Sequence, residues 1–176
     1  MLNSCASTII NSHKIGTTKE LCSKKSVLVF WGTAWRDNQK EKNLREEIAS
    51  KAINKYFSNS KCFSDFKVVK NLNNKESISL SDTELLNQTK DSKIDKIITI
   101  RIEELGPILN LNLGLVLVEG ATEVKLRVKV IDIKTSSIDY DNSIDWKNGG
   151  AYIIKGIGTL ESDMIDLLLK IFESNI

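Results

Sequence analysis

Thr122-Glu123-Val124-Lys125-Leu126-Arg127-Val128-Lys129-Val130-Ile131-Asp132-Ile133-Lys134-Thr135-Ser136-Ser137-Ile138-Asp139-Tyr140-Asp141-Asn142-Ser143-Ile144-Asp145-Trp146 decides the fold. Val124, Leu126, Val128 and Val130 alternate with Lys125, Arg127 and Lys129, and Ile138, Tyr140, Ile144 and Trp146 alternate with Asp139, Asp141, Ser143 and Asp145. A period of two marks strands with one buried face. Lys134-Thr135-Ser136 is turn-like, so the two runs form a hairpin. Pairing Val130 with Tyr140 sets Leu126 against Ile144 and Val124 against Trp146. The same register sets Lys129 against Asp141 and Lys125 against Asp145 on the other face. The apolar face selects this register, because a one-residue slip would turn it outward. The exposed charge pairs add only ~0.2–1 kcal/mol each.

Upstream, Ile94 to Leu105 alternates through Ile98, Ile100 and Ile102 and reads as a strand that Gly106-Pro107 ends. Val27-Leu28-Val29-Phe30-Trp31 is a continuous apolar run ending at Gly32, as suits a strand buried on both faces. Between them Leu44, Ile48, Ala52, Ile53, Tyr56 and Phe57 form a helical stripe, with Asn43 and Glu46 at capping-box spacing. Phe66-Lys67-Val68-Val69 is a weaker strand, and Ser81-Asp82-Thr83-Glu84 opens a short helix. After two glycine breaks, Thr159 caps a last helix packed through Leu160, Met164, Ile165, Leu168 and Phe172. The expected order is β-α-β-α-β-β-β-α: an α/β domain over residues 26–176, with a three-layer mixed sheet flanked by helices. Residues 1–25 are polar and aperiodic, and read as a signal-peptide remnant and flexible tether that includes the lone His13.

Composition narrows the function classes. The chain has 176 residues, 41% hydrophobic and 27% charged, with a net charge of +2 spread along its length. That is ordinary for one globular domain and gives no nucleic-acid footprint. No apolar run approaches the ~20 residues of a membrane-spanning helix. One histidine and no C-x-x-C argue against a metal site, and a histidine in a tether cannot serve a Ser or Cys nucleophile. Gly156-Ile157-Gly158 lacks the rest of a phosphate-binding motif, and Glu161 and Asp163 would repel phosphate. Asp37 with Glu41, and Glu103 with Glu104, read as solvated carboxylates. Neither catalytic residues nor a cofactor are expected.

Three cysteines remain. Leu2-Asn3-Ser4-Cys5-Ala6 resembles the processing site of a bacterial lipoprotein, in which Cys5 takes the lipid and Ala6 resembles outer-membrane sorting. Only four residues precede Cys5, so the expectation is that DNA upstream of Met1 encodes basic residues and then ~7–15 apolar ones. Cys22 lies before the first strand and Cys62 in the helix-to-strand connection, positions that share one edge of a βαβ unit. They are either a disulfide closing a loop of about 40 residues or two partly buried thiols.

The pieces Val27–Trp31, Leu44–Phe57, Asp95–Ile102, the hairpin Val124–Asp132 to Ile138–Trp146 and Thr159–Phe172 come in an order with a known likeness. It resembles the periplasmic domain of the TolB amino-terminal part, the curli-secretion lipoprotein and LpoB-type activators. The turn from Asp132 to Ile138 looks like that family's D-x-x-T-G-x-hydrophobic turn, with Ser136 in place of glycine. The resemblance implies a non-enzymatic lipoprotein held to the outer membrane by lipid (palmitate), with an envelope protein or itself as partner.

Two surface features are candidates for contact. Trp31 to Arg36 ends the first strand, at the sheet edge where open α/β folds hold ligands; Trp35 and Arg36 are partner-binding candidates there. The alternative is that Trp31 is core and Trp35 packs on the helix. The second is Ile108 to Val118, with Leu111, Leu113 and Leu115 as candidates. It either extends the flanking strands or meets a partner, and it is too short for two membrane strands. A soluble small-ligand-binding domain using the Trp31–Arg36 edge is the rival function, and an enzyme is a third reading.

Overall fold

The computed structural model describes residues 7–14, 21–70, 82–89, 93–112, 117–151 and 153–173. Its elements are β1 (Ser7–Lys14), β2 (Lys25–Thr33), α1 (Lys42–Asn59), β3 (Phe63–Lys70), α2 (Asp82–Thr89), β4 (Lys96–Asn112), β5 (Leu117–Asp132), β6 (Ser137–Ala151) and α3 (Leu160–Glu173). The strands form one six-stranded mixed sheet in the order β1-β6-β5-β4-β2-β3. β2 runs parallel to both β3 and β4, whereas β4, β5, β6 and β1 are antiparallel.

The β5–β6 hairpin has the register predicted from alternation: Val130 faces Tyr140, Leu126 faces Ile144, Val124 faces Trp146 and Lys125 faces Asp145. In its turn Thr135 N–H donates to the Asp132 carboxylate at 3.0 Å. Ser136 sits at φ 53°, the left-handed region that a Cβ disfavours. Ser136→Gly is therefore expected to raise stability by about 0.5–1 kcal/mol, read as a higher urea midpoint.

Residues of β2 divide between two faces. Val27, Val29 and Trp31 enter the main core with α1 and α3, while Phe30 joins Leu85, Ile97 and Ile131 in a small cluster beside α2. The aromatic rings of Tyr56, Phe57, Phe63 and Phe172 join α1, β3 and α3, with centroids 5.1 Å (Tyr56–Phe57) to 5.8 Å (Phe57–Phe172) apart. Cys22 and Cys62 are joined as a disulfide, tying the entry to β2 to the α1–β3 connection.

Four details depart from the sequence reading. Ser7–Lys14, expected within a flexible tether, pairs along its length with β6 and forms an edge strand. Its only large apolar residues are Ile9 and Ile10, so the pairing rests on backbone hydrogen bonds more than on a periodic pattern. β4 does not stop at Gly106-Pro107; Pro107 pairs with Thr122 and the strand runs on to Asn112. β2 leaves β4 at Ile102, so Pro107 lies on an edge, where a missing N–H is tolerated. α1 begins at Lys42 behind Glu41 at φ 53°, with no side-chain cap, and Glu46 pairs with Lys70 instead of closing a capping box. Leu44 is exposed, and Arg45 takes the buried position beside it. At α3 the Thr159 hydroxyl donates to the Gly156 carbonyl at 3.0 Å rather than capping the helix.

A polar clamp closes one end of the sheet. The Asp95 carboxylate accepts from the Ser26 backbone N–H (3.1 Å) and hydroxyl (3.0 Å), while Lys134 stands 3.4 Å away. The Ser26 backbone bond, then its hydroxyl and Lys134, hold this carboxyl below its ordinary value. A depressed folded value stabilises above the unfolded one and is lost as pH falls through the folded one. Asp95→Asn is thus expected to cost about 1 kcal/mol at neutral pH. The gap to the parent should close as acid protonates the carboxyl, which urea unfolding across pH would measure.

Candidate functional site

Beyond Ile102, β4 has lost β2 as a neighbour, and its carbonyls need other donors. Ala34 N–H donates to the Ile102 carbonyl at 2.8 Å, and the Arg45 guanidinium donates to that of Leu105 while its Nε reaches the Lys40 carbonyl at 2.8 Å. A Cβ at position 106 would meet that guanidinium, which would have to shift to admit it. The loop carrying Trp35 and Arg36 is thereby laid along the open side of β4.

There Trp31 is core, and Trp35 is half-buried against the same core. Arg36 donates through Nε to Glu104 Oε2 at 2.7 Å, and a second guanidinium nitrogen contacts the same oxygen. It also lies 3.5 Å from Glu123. Glu104 holds the Arg36 guanidinium above its ordinary value. Glu104 and Glu123 are both buried, against the expectation of solvated carboxylates for Glu103 and Glu104. The cause is a bulge between Ile102 and Glu104, which turns Glu104 beneath Arg36. Lys125 (3.5 Å) and Lys147 (3.4 Å) also approach Glu123, and a hydrogen bond from Lys125 to Asp145 raises the lysine's pKa. Arg36 is thus half-exposed but already committed to two carboxylates.

This charged row borders a cleft of about 670 Å³ on the sheet. Asn11 of β1, Ser143 and Asp145 of β6, Lys125 of β5 and Glu103 of β4 line it. Lys125 and Asp145 bridge it at 3.2 Å, and Arg127 holds Asp141 through two bonds of 2.8 and 2.7 Å beside it. β1 was missed in the sequence, and so was this cleft, because both depend on a strand with little apolar pattern. Among the described residues no group of His, Cys, Asp and Glu is placed to hold a metal ion.

Trp35 and Arg36 share one surface, but the second candidate segment lies elsewhere. Leu111 pairs with Val118, seven residues along β4 from Glu104, or about 23 Å. Leu113, Leu115 and Cys5 lie outside the described residues. The expectation that Ile108 to Val118 extends its flanking strands agrees with the pairing of residues 108–112 and 117–118.

No protein-family model matches the chain, and no curated protein matches it. Solved structures do. A single-substitution form of the PelC dodecamer from Paraburkholderia phytofirmans has a TM-score of 0.52 at 10% identity, over 96% of this chain and 100% of that one. A neuraminyllactose-binding hemagglutinin homolog from Helicobacter pylori scores 0.49 at 11% identity, over 92% and 88%. Lipoprotein GNA1162 from Neisseria meningitidis scores 0.37 at 13% identity, over 83% and 99%. At such identities the likeness is one of fold: the chain, whose described residues form a single mixed sheet with three α-helices, is similar over nearly its whole length to PelC.

Proposed function

We propose that this chain is a lipid-anchored accessory protein of the bacterial envelope, acylated at Cys5 and acting by protein contacts, chiefly with copies of itself, rather than by catalysis. The observation that carries this reading is the fold likeness to PelC, which was solved as a dodecamer. The sheet supports it, since its two edges are unlike: β1 at one side and β3 at the other. Contacts between unlike surfaces close into rings where the rotation allows. The disulfide supports an oxidising compartment, as the periplasm provides. A role at the outer membrane of the kind found in TolB, curli-secretion and LpoB-type proteins is the finer form of this proposal.

Sedimentation velocity of the full chain tests it. The expected result is a discrete species several times the 19.8 kDa monomer. A monomer at every concentration, with no partner recovered by crosslinking in envelopes, would overturn it. The rival reading, a small-ligand-binding domain, is favoured by the charged cleft rather than by the Trp31–Arg36 edge, where Arg36 is engaged. Thermal stabilisation by a zwitterionic or polyhydroxylated solute, lost in Asp145→Ala, would support that second reading.

A further inference from the structure

The start of β1 fixes where the proposed anchor leaves the domain. Ser7 pairs with Gly149, and Gly149 with Ala121. Only Ala6 separates Cys5 from Ser7 in the sequence, so a lipid on Cys5 would be tethered one residue from this end of the sheet. The same end carries the base of the β4–β5 hairpin, where Leu109 pairs with Gly120.

A short strap crosses here. A Cβ at Gly120 would collide with the Ile153 carbonyl, so Gly120 lets the chain pass close over the sheet. Ile153 N–H donates to the Gly150 carbonyl at 3.3 Å, and Lys155 is held to the buried Asp163 carboxylate at 3.0 Å. Pinned on both sides, the strap presents Ile154 outward, 86% exposed. Leu109 is 59% exposed, and Ile157, just past the strap, is exposed too. Large aliphatic side chains held in water by a fixed backbone, beside the point where a lipid would emerge, match a bilayer interface.

We infer that this end of the domain rests on a lipid bilayer, with Ile154 and Leu109 entering its interface. The inference rests on the acylation of Cys5 proposed above, but its test does not need the lipid. The full chain carrying Cys5→Ser should sediment with vesicles of phosphatidylethanolamine and phosphatidylglycerol. Ile154→Asp and Leu109→Asp should each weaken that partitioning about tenfold or more. Ile138→Asp, exposed at the opposite end of the sheet, should leave it unchanged. An environment-sensitive dye on Ile154→Cys in the same background should shift to the blue on vesicles, which guards against a misfolded aspartate variant.

Absence of partitioning, equal partitioning of all variants, or an unshifted dye overturns the inference. So does loss of self-association in Ile154→Asp with vesicle binding intact, because a second copy would then cover the strap. Vesicle binding that depends on Ile154 in a protein never acylated in cells would remove the anchor and uphold the bilayer contact. Acylation at Cys5 with partitioning indifferent to Ile154 would do the reverse.

Discussion

Replacing Cys22 and Cys62 together with serine is expected to lower the unfolding free energy by about 4 kcal/mol. The bond closes a loop of 40 residues that contains β2, α1 and the turn into β3. Without it, the unfolded chain regains the freedom of that loop. The native side loses as well, for Cys62 is buried and a serine hydroxyl there would need a partner. Lys24 N–H, donating to the Cys62 carbonyl at 2.7 Å, keeps the two segments adjacent without the sulfurs. The fold should therefore survive with a lower urea midpoint. Dithiothreitol should reproduce the loss in the parent and have no effect on the double variant. A change under about 1 kcal/mol would mean that the bond constrains little in the unfolded chain.

Asp163→Ala should cost a similar amount, about 3–5 kcal/mol. Asp163 is buried in the first turn of α3, and its carboxylate collects donors from three other segments. The Thr122 hydroxyl of β5 donates to Oδ2, Asn148 of β6 donates to Oδ1 at 2.9 Å, and Lys155 of the strap reaches both oxygens at 3.0 and 3.1 Å. Truncation leaves a largely buried ammonium and two polar groups without their acceptor, which is far costlier than losing an exposed pair. Asp163→Asn keeps the shape and one acceptor, so it should fall between the parent and alanine. Urea unfolding of the three proteins measures the series. Equal stability of the parent and Asp163→Ala would show that the four segments hold together without this carboxylate.

The parts of the fold that were legible share a cause. Where burial is one-sided and the strand long, as from Val124 to Trp146, apolar alternation and charge pairing specify the same register, and that register is the one observed. The α3 stripe was legible for the same reason, although Leu167 and Ile171 widen it. β1 was not, because an edge strand held mainly by backbone bonds leaves almost no side-chain signature. Nor was the burial of Glu104, which follows from a bulge one residue earlier. The continuation of β4 through Pro107 was hidden because it depends on β2 ending at Thr33, a fact of neighbouring strands rather than of local sequence. At the candidate site, the loop of Trp35 and Arg36 was found by residue type alone, but its engagement with Glu104 and Glu123 required the tertiary arrangement. Sequence periodicity reports what a strand buries; it is silent on what an edge meets.

The proposed anchor at Cys5 is tested most directly by labelling cells with radioactive palmitate and separating their membranes, with Cys5→Ala alongside. The expected result is labelled protein in the outer-membrane fraction, with both label and membrane association lost in Cys5→Ala. An unlabelled protein recovered in the cytosol would contradict it.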